Sequence, residues 1–236
     1  MEPQTRDLLN GIAALVAAEM PRIQARRYDI TLKPDGSPVT QADILLEQLI
    51  HAYVKERIDD LTFVGEESFD PATLGTGTYM ALLDPIDGTE NFCSGLKEWG
   101  VSFGLWRAGQ HLGSMLLLPE LGERMMTGEP IQRVRSRITG FSSSFSEQIL
   151  EQMRDEVESR IMGCAVYNLY NVVRGAYRRF SNPKGAYAWD LLPGLMLALE
   201  HGCDVKVDGE IFDGTLLEPG RKYRVDILHR HDLHPG

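Results

Sequence analysis

Apolar residues recur along this chain with two different periods, and the period changes from one segment to the next. Spacings of three and four residues predict helices over residues 5–25, 40–57, 144–157 and 191–200. Shorter apolar runs predict strands over residues 61–64, 79–83, 101–106, 111–118 and 203–207. The apolar run over residues 167–177 fits either element. The pattern therefore predicts a mixed fold of helices and sheets, of the α+β class.

The length and the apolar content bound how the chain is organised. With 236 residues, 43% of them hydrophobic, it can bury a large core as one domain over residues 1–236, with room for two packed halves. No linker, internal repeat or low-complexity tract interrupts the pattern. The N-terminus has acids, Glu2 and Asp7, and the amphipathic pattern of a helix, which is not the pattern of a signal peptide. No apolar run approaches the roughly 20 residues of a membrane span, so we expect no membrane partner.

The charge balance and the cysteines limit the partners and the compartment. There are 24 Lys and Arg against 34 Asp and Glu, a net charge of -10. Such an acidic field repels polyanions, so we expect no nucleic-acid partner. The small basic cluster of Arg133, Arg135 and Arg137 is expected to be an exposed strand or loop face. Three cysteines without a CxxC spacing favour the reducing cytoplasm.

The most informative chemistry lies over residues 84–92, Asp-Pro-Ile-Asp-Gly-Thr-Glu-Asn-Phe. Asp84 and Asp87 place two carboxylates three residues apart, directly after a predicted buried strand. Pro85 biases Asp84 toward an extended conformation, and Gly88 permits a positive φ before a helix whose free N–H groups can face an anion. Hard oxygen ligands at such a turn favour Mg²⁺ beside a phosphate.

The residue types of this motif are also those of an ordinary hairpin or helix entry, because Asp, Pro and Gly are common in turns and Asp caps helices. That interpretation stays open at this point. An EF-hand calcium loop does not fit the motif. Counted from Asp84, its third and twelfth positions hold Ile86 and Gly95 where the loop requires an acid or amide and a glutamate.

Acids elsewhere in the chain stand at similar element ends. Glu66 and Glu67 close a β-like run, Asp190 precedes the last predicted helix, and Asp43 follows Thr40 at the spacing of a capping box. Alone, each is accounted for as a solvated surface acid or a helix cap. Thr40 is expected to cap its helix in either case, while Asp43 can do so and still point into a cleft.

Four elements in this order resemble those of the inositol monophosphatase family, which are Mg²⁺-dependent, lithium-sensitive phosphatases within the sugar phosphatase superfamily. The resemblance extends over residues 33–209. The elements that carry it are Lys33 with Asp35-Gly36 and Val39-Thr40-Gln41-Ala42-Asp43, then Gly65-Glu66-Glu67, then residues 84–92, and last Trp189-Asp190 through Glu200 and Gly202.

This resemblance implies a fold, a cofactor and a set of roles. The fold would be a layered α-β-α-β-α sandwich, the cofactor Mg²⁺ and the assembly a homodimer. Asp43 and Thr89, together with Glu66, would orient and deprotonate the attacking water. The metal ions would be held by Glu66, Asp84, Asp87, Asp190 and the backbone carbonyl of Ile86. The substrate would be contacted by Asp87, Gly88, Thr89, Gly163, Cys164, Ala165 and Asp190.

Two departures from the family pattern bear on the substrate. Glu90 stands where many members have a second Thr, and Pro183 stands where an acid contacts the inositol hydroxyls. The missing acid puts inositol itself in doubt. The basic segment 178–184 is expected either to line the leaving-group side, where it would suit a second anionic group, or to be a surface loop.

We therefore predict a Mg²⁺-dependent phosphomonoesterase that hydrolyses a small polyol, cyclitol or sugar phosphate with metal-activated water. A dianionic phosphate monoester repels hydroxide, so its hydrolysis needs cations that neutralise charge and lower the pKa of water. The alternative within this chemistry is a 3'-phosphoadenosine 5'-phosphate or fructose-1,6-bisphosphate phosphatase. The alternative of another class is a non-catalytic metal-binding scaffold or regulator, against which the number of like charges argues.

Overall fold

The computed structural model describes residues 2–75, 77–143 and 146–230. The α-helices in these ranges are α1 (Pro3–Ala25), α2 (Gln41–Lys55), α3 (Thr89–Cys93), α4 (Glu147–Arg154), α5 (Ala165–Val173) and α6 (Ala188–Glu200). The strands are β1 (Ile30–Leu32), β2 (Pro38–Thr40), β3 (Leu61–Gly65), β4 (Tyr79–Asp87), β5 (Gly100–Arg107), β6 (Gln110–Leu118), β7 (Glu123–Met126), β8 (Ile138–Phe141), β9 (Glu158–Ile161), β10 (Arg179–Tyr187), β11 (Asp204–Val207), β12 (Glu210–Ile211) and β13 (Lys222–Leu228).

The strands form two large sheets and one small hairpin of β1 and β2. The first sheet has five strands in the order β3-β4-β5-β6-β7. Its pairs are antiparallel except that β3 runs parallel to β4. The second sheet has six strands in the order β12-β11-β13-β10-β8-β9, of which β10, β8 and β9 run parallel to one another.

The two faces of the five-stranded sheet bury different helices. Side chains alternate across a strand, so the neighbouring residues Leu82 and Leu83 of β4 enter different cores. Leu83 packs in a core with α1 and α2 that includes Ile50. Leu82 packs in a second core with α5, α6 and the six-stranded sheet, to which Leu169 and Ile227 belong. Helices α5 and α6 therefore lie between the two sheets.

The outer face of the six-stranded sheet carries α4. Phe180 of β10 points into the inner core, and the next residue, Ser181, donates a hydrogen bond to Gln152 of α4 at 2.9 Å. The layers therefore run helix, sheet, helix, sheet, helix, which confirms the predicted α-β-α-β-α sandwich. Among the described helices, none is both long and apolar enough to cross a membrane.

Several predicted boundaries are wrong. The strand predicted over residues 79–83 continues to Asp87, because β5 keeps pairing with it beyond residue 83. The ambiguous run over 167–177 contains most of α5. The helix predicted over 144–157 is observed as α4; residues 144 and 145 lie outside the described residues. The strands β1, β2, β7, β8, β9, β10, β12 and β13 were not predicted, since most are short or have polar, exposed positions.

The basic segment 178–184 is mainly a strand and not a surface loop. From Arg179 onward it forms the first six of the nine residues of β10. Arg178 donates to Glu156 at 2.6 Å, and Arg179 makes two hydrogen bonds of 2.7 Å with Asp226. Both arginines of this segment are therefore paired with carboxylates of the same chain.

The close approach of α5 to β5 makes a testable prediction about Gly100, which lies opposite Asp87. A Cβ atom here would lie 2.6 Å from the carbonyl oxygen of Leu117 and would also collide with Val166. We expect Gly100→Ala to lower the free energy of unfolding by about 1–3 kcal/mol, because the backbone of β6 cannot move away. Chemical denaturation measures this. Gly163→Ala is the control, since the nearest atom, 3.2 Å away, is a side-chain oxygen of Asn91 and not a backbone atom; an equal loss there would contradict the steric explanation.

Candidate active site

The two aspartates of the 84–92 motif lie where β4 departs from regular pairing with β5. Asp84 is opposite Ser102 and Asp87 is opposite Gly100, so between them two residues of β4 face one residue of β5. This is a β-bulge, a feature that redirects side chains at the end of a strand. The N–H group of Ile86 donates to Oδ1 of Asp84 at 3.0 Å and fixes the first carboxylate.

Gly88 follows the bulge in the left-handed conformation and precedes α3. Its φ is 82°, as predicted from the motif. A Cβ atom here would lie 2.8 Å from Cβ of Cys164 and 3.2 Å from the carbonyl oxygen of Gly163. The absence of a side chain therefore lets the turn pack against the segment that precedes α5.

Three carboxylates from separate parts of the chain meet at this point. Candidate ligand oxygens of Glu66, Asp84 and Asp190 all lie within 4.8 Å of one another. Because β3 and β4 run parallel, they place Glu66 and Asp84 at the same end of the sheet. Asp190 stands in the first turn of α6 and accepts the N–H group of Tyr187 at 2.8 Å.

The electrostatics of this group of carboxylates follow from burial and from like charge. Burial, and then the charges of Glu66, Asp87 and Asp190, raises the pKa of Asp84 well above its ordinary value. Burial, followed by the charges of Glu66 and Asp87, raises the pKa of Asp190 in the same way. The fully ionised group is therefore unfavourable without a compensating cation.

Asp43 joins the site through Thr89. Thr40 caps α2, and Asp43 accepts its N–H group at 2.8 Å, so the predicted capping box is confirmed. The other oxygen of Asp43 lies 3.1 Å from Oγ1 of Thr89, which is also 3.0 Å from the carbonyl oxygen of Ile86. Burial raises the pKa of Asp43 to about 6, although hydrogen bonds from Thr40 oppose the rise.

Asp87 points toward the start of α5. Its Oδ2 accepts hydrogen bonds from the thiol of Cys164, at 2.9 Å, and from the N–H group of Val166. Burial raises the pKa of Asp87 to about 6. Burial and the charge of Asp87 raise the pKa of Cys164, so the thiol stays protonated and donates. Residues 163–165, which were predicted to contact the substrate, therefore lie beside Asp87.

Lys33 reaches the site from the hairpin of β1 and β2. Its Nζ lies 2.9 Å from Oε1 of Glu66 and 2.9 Å from Oε1 of Glu67. Although burial opposes it, the two glutamates raise the pKa of Lys33. Lys33 is thus a paired cation beside the cleft, and the side chain of Glu67, 10% exposed, faces it.

Glu47 is a site neighbour that the sequence reasoning missed. It lies one helical turn after Asp43 on α2 and is buried. Its Oε2 accepts the N–H group of Glu67 at 2.8 Å, and a Cβ atom at Gly65 would collide with its carboxyl group. The four-residue spacing from Asp43 was the available signal, because residues so spaced share one face of a helix.

The donor set fits a hard divalent cation such as Mg²⁺. Glu66, Asp84 and Asp190 offer carboxylate oxygens alone, which are the ligands that Mg²⁺ prefers. A cation placed among them would offset the repulsion that raises the pKa values of Asp84 and Asp190. The bulge adds the carbonyl group of Ile86 and the carboxylate of Asp87 nearby.

We expect the metal-free protein to become more stable as the pH falls from about 8 to about 6.5. Burial raises the folded-state pKa of Glu67 to about 7 and those of Asp43 and Asp87 to about 6. The folded state therefore binds protons before the unfolded state does, and this stabilisation is lost as the pH rises through those values. Thermal melting in EDTA across this window measures the effect.

Glu67→Gln should weaken the dependence of the melting temperature on pH, because it removes the carboxyl group whose pKa is the highest of the three. The window ends near 6.5, the ordinary pKa of histidine. Burial lowers the pKa of His111 to about 4. Below pH 6.5 the unfolded chain therefore binds a proton that the folded protein does not, and this opposes the trend. A melting temperature that rises with pH inside the window would contradict the electrostatic picture.

Comparison with known proteins identifies the family to which this chain belongs. The model of the inositol monophosphatase family matches residues 4–225. The chain belongs to the inositol monophosphatase family. The resemblance seen in the four sequence elements is thereby confirmed.

Relatives of this inositol monophosphatase family member include phosphatases with different substrates in their names. A histidinol-phosphatase of Streptomyces coelicolor is 33% identical over 112 residues, which cover 46% of this chain and 41% of that protein. An inositol-1-monophosphatase of Rhizobium meliloti is 27% identical over 203 residues, which cover 76% of this chain and 75% of that protein. The chain thus spans less than half of the first relative. The family match and these relatives support a phosphomonoesterase of the inositol monophosphatase type.

Solved structures confirm the fold of this family member. A staphylococcal inositol monophosphatase complexed with products has a TM-score of 0.81 at 14% identity, with 98% of this chain and 92% of that chain covered. A dual-specific inositol monophosphatase and NADP phosphatase, bound with D-inositol-1-phosphate, has a TM-score of 0.78 at 15% identity, with 96% and 91% covered.

Proposed function

We propose that this protein is a Mg²⁺-dependent phosphomonoesterase that hydrolyses a small polyol, cyclitol or sugar phosphate. The observation that carries the proposal is the convergence of Glu66, Asp84 and Asp190 within 4.8 Å, beside the hydrogen-bonded pair of Asp43 and Thr89. Holding like charges together destabilises a scaffold, whereas a phosphatase needs them to hold cations.

The proposed roles follow from the contacts of each group. The cations would be held by Glu66, Asp84, Asp87, Asp190 and the carbonyl group of Ile86. When bound, they supply charge neutralisation for the phosphate and a lower pKa for water.

The attacking water would be activated by the pair of Asp43 and Thr89. The O–H group of Thr89 can donate a hydrogen bond to Asp43, whose Oδ1 is 3.1 Å away. Oγ1 of Thr89 can then accept a hydrogen bond from water. As the water attacks phosphorus, its proton would pass to Thr89 and the Thr89 proton to Asp43. A carboxylate whose pKa is raised to about 6 suits general-base work near neutral pH. Glu66 would help to orient the same water.

The substrate would lie between α3 and α5. The N–H groups of Gly88 and Thr89, at the start of α3, would face the phosphate oxygens. Gly163, Cys164 and Ala165 would flank the leaving group, and this is supported by the packing of the Gly88 turn against Cys164. The expelled alkoxide takes up a proton from water and leaves as the alcohol, and inorganic phosphate remains.

Histidinol phosphate is a second candidate substrate. A histidinol-phosphatase relative is 33% identical, and Pro183 replaces the acid that would contact inositol. A bisphosphate or nucleotide substrate has less support, because Arg178 and Arg179 are already paired with Glu156 and Asp226.

We also propose that the chain works as one phosphatase domain over residues 1–236, as a homodimer in the cytoplasm. The family match over residues 4–225 supports one functional unit. All three cysteines are free thiols, which is consistent with a reducing compartment.

Phosphate release over a substrate panel tests the proposal. The panel holds inositol 1-phosphate, sugar phosphates, histidinol phosphate, fructose bisphosphate and phosphoadenosine phosphate, each with Mg²⁺ and with EDTA. We expect release that requires Mg²⁺ and is fastest for one of the monophosphates. Absence of Mg²⁺-dependent release from every compound would contradict a broadly acting sugar phosphatase.

A further inference from the structure

Glu47 is a buried acid of α2 to which the proposed reaction gives no role. It is 5% exposed. Burial raises its pKa, and hydrogen bonds from Ser68 and from the N–H group of Glu67 oppose the rise. The charge of Glu66 raises the pKa of Glu47 further, so the two carboxylates lie near each other. A buried acid beside another acid is costly unless it accepts hydrogen bonds, and those shown for Glu47 in the described chain come from one short segment.

That segment leaves the sheet directly after β3. This strand is at the edge of the five-stranded sheet, and its pairing with β4 ends where Gly65 lies opposite Leu83. The N–H group of Glu66 still donates to the carbonyl oxygen of Leu83 at 3.1 Å. The next N–H group, that of Glu67, donates to Oε2 of Glu47 at 2.8 Å. From Glu67 onward, a side chain of α2 therefore replaces the neighbouring strand as the support of this backbone.

Gly65 lets the carboxyl group of Glu47 lie directly against the same backbone. A Cβ atom at Gly65 would collide with Cδ and with both carboxylate oxygens of Glu47. Gly65 does not have a positive φ, so its conformation alone does not require glycine. The missing side chain therefore serves the contact with Glu47.

Helix α2 holds the proposed general base on the same face. Asp43 lies four residues before Glu47, a rise of about 6 Å along a helix. The two carboxylate oxygens of Asp43 are held by Thr40 and by Thr89. One helix thus contacts both the pair that would activate water and the segment that carries Glu66. The position of Glu66 relative to this pair is therefore supported through α2.

A bound cation would leave the Glu47 contact in place. Lys33 also holds this segment, but through carboxylate oxygens of Glu66 and Glu67, each 2.9 Å from Nζ. A cation held by Glu66 competes with Lys33 for that carboxylate. Glu47 instead accepts a backbone N–H group, which a cation does not bind. The Glu47 contact can therefore hold the segment in the same place with and without a metal ion.

We infer that Glu47 is a positioning residue for the metal site, which fixes the backbone after β3 so that the carboxylate of Glu66 stays beside those of Asp84 and Asp190. This inference rests on the metal site of the proposed function. Glu47 itself would contact neither the cation nor the substrate. A ligand that is held in place before binding loses less conformational freedom when the cation binds, so the contact raises the affinity for Mg²⁺.

Calorimetric titration of Mg²⁺ into metal-free variants of the full chain tests this inference. Glu47→Met keeps an unbranched side chain and removes both acceptor oxygens. It should raise the Mg²⁺ dissociation constant about 10–100-fold, the usual contribution of a group that orients a metal ligand. Glu47→Gln loses the same charge but keeps one acceptor oxygen for the N–H group of Glu67, so its constant should stay within about threefold of the wild type.

Glu56→Gln is the control for the loss of a charge from the same helix. Its side chain, at the end of α2, is 75% exposed, and the substitution should leave the Mg²⁺ dissociation constant unchanged. Gly65→Ala displaces the carboxyl group of Glu47 from the other side and should raise the constant as Glu47→Met does. It takes the place of Glu47→Met if that variant does not melt cooperatively.

Two further measurements separate positioning from a general loss of structure. In EDTA, hydrogen exchange of the Glu67 amide should become at least about tenfold faster in Glu47→Met, while the amide of Leu82 in β4 keeps its rate. At saturating Mg²⁺, the KM of Glu47→Met should equal that of the wild type for the compound hydrolysed fastest in the substrate panel, because Glu47 does not contact the substrate.

A double-variant cycle shows whether Glu47 acts through Glu66. In a Glu66→Gln background, Glu47→Met should change the Mg²⁺ dissociation constant by less than about threefold, because the ligand that it positions has lost its charge. An effect of Glu47→Met that persists in full in this background would show that Glu47 acts by another route and would overturn the inference.

The other outcomes separate the inference from the proposed function. A wild type that binds no Mg²⁺ overturns both. Mg²⁺ binding by the wild type that is unchanged in Glu47→Met and in Gly65→Ala overturns the inference alone. Equal losses of affinity in Glu47→Gln and Glu47→Met also overturn it, because the charge of Glu47 and not its hydrogen bond would then be responsible.

Discussion

Asp84→Asn is expected to lower kcat/KM for Mg²⁺-dependent phosphate release by at least about 10³-fold, roughly 4 kcal/mol of transition-state stabilisation. Asp84 is 1% exposed, and its carboxylate lies within 4.8 Å of those of Glu66 and Asp190. The amide keeps the shape of the side chain and removes the negative charge that a divalent cation needs. Steady-state kinetics over a range of Mg²⁺ concentrations measures the loss.

Asp84→Asn should stabilise the metal-free protein, although it lowers the activity. Burial and neighbouring carboxylates raise the pKa of Asp84, so its ionised form is costly at neutral pH. We expect Asp84→Asn to melt at a higher temperature than the wild type in EDTA and to lose the stabilisation that Mg²⁺ gives the wild type. Asp59→Asn, at an exposed position, is the control and should change neither quantity. Activity of Asp84→Asn within tenfold of the wild type would show that this carboxylate does not serve the reaction.

Thr89→Ala is expected to lower kcat by about 10²–10⁴-fold, the usual contribution of a positioned proton-transfer group. The hydroxyl group lies 3.1 Å from Asp43 and 3.0 Å from the carbonyl oxygen of Ile86, so it links the carboxylate to the water it would activate. The Mg²⁺ dissociation constant should change little, because the carboxylate ligands remain. Calorimetry and single-turnover kinetics separate the two effects.

Thr89→Ser keeps the hydroxyl group and is the matched control, which should retain most of the activity. Asp43→Asn should lose as much as Thr89→Ala, and the double variant should lose little more than either, because the two groups act as one unit. Losses that simply multiply in the double variant would show that Asp43 and Thr89 act independently.

Much of the site could be predicted from the sequence because its groups stand in short motifs. The spacing of Asp84 and Asp87, the glycine after them and the capping box of Thr40 and Asp43 each fix local geometry, and the structure shows that geometry. The convergence of Asp190 with Glu66 could not be derived from local pattern. It depends on how α6 packs between two sheets, and only the family resemblance anticipated it.

The parts that were missed have physical reasons as well. Residues 84–87 contain turn-forming residues, yet pairing with β5 extends the strand through them as a bulge. The basic side chains of Arg178 and Arg179 fitted either a ligand surface or a surface loop, and local pattern could not show that Glu156 and Asp226, distant in sequence, pair with them in and beside a strand. Strands such as β9 have exposed, polar positions, so their apolar periodicity is too weak to predict.

Calorimetric titration of Mg²⁺ into the metal-free protein, with phosphate release followed at the same Mg²⁺ concentrations, tests most directly whether the carboxylates around Asp84 form a catalytic metal site. We predict saturable binding by the wild type, release that rises over the same concentration range, and loss of both in Asp84→Asn. Binding that persists unchanged in Asp84→Asn, or release by the wild type that continues in EDTA, would contradict this assignment.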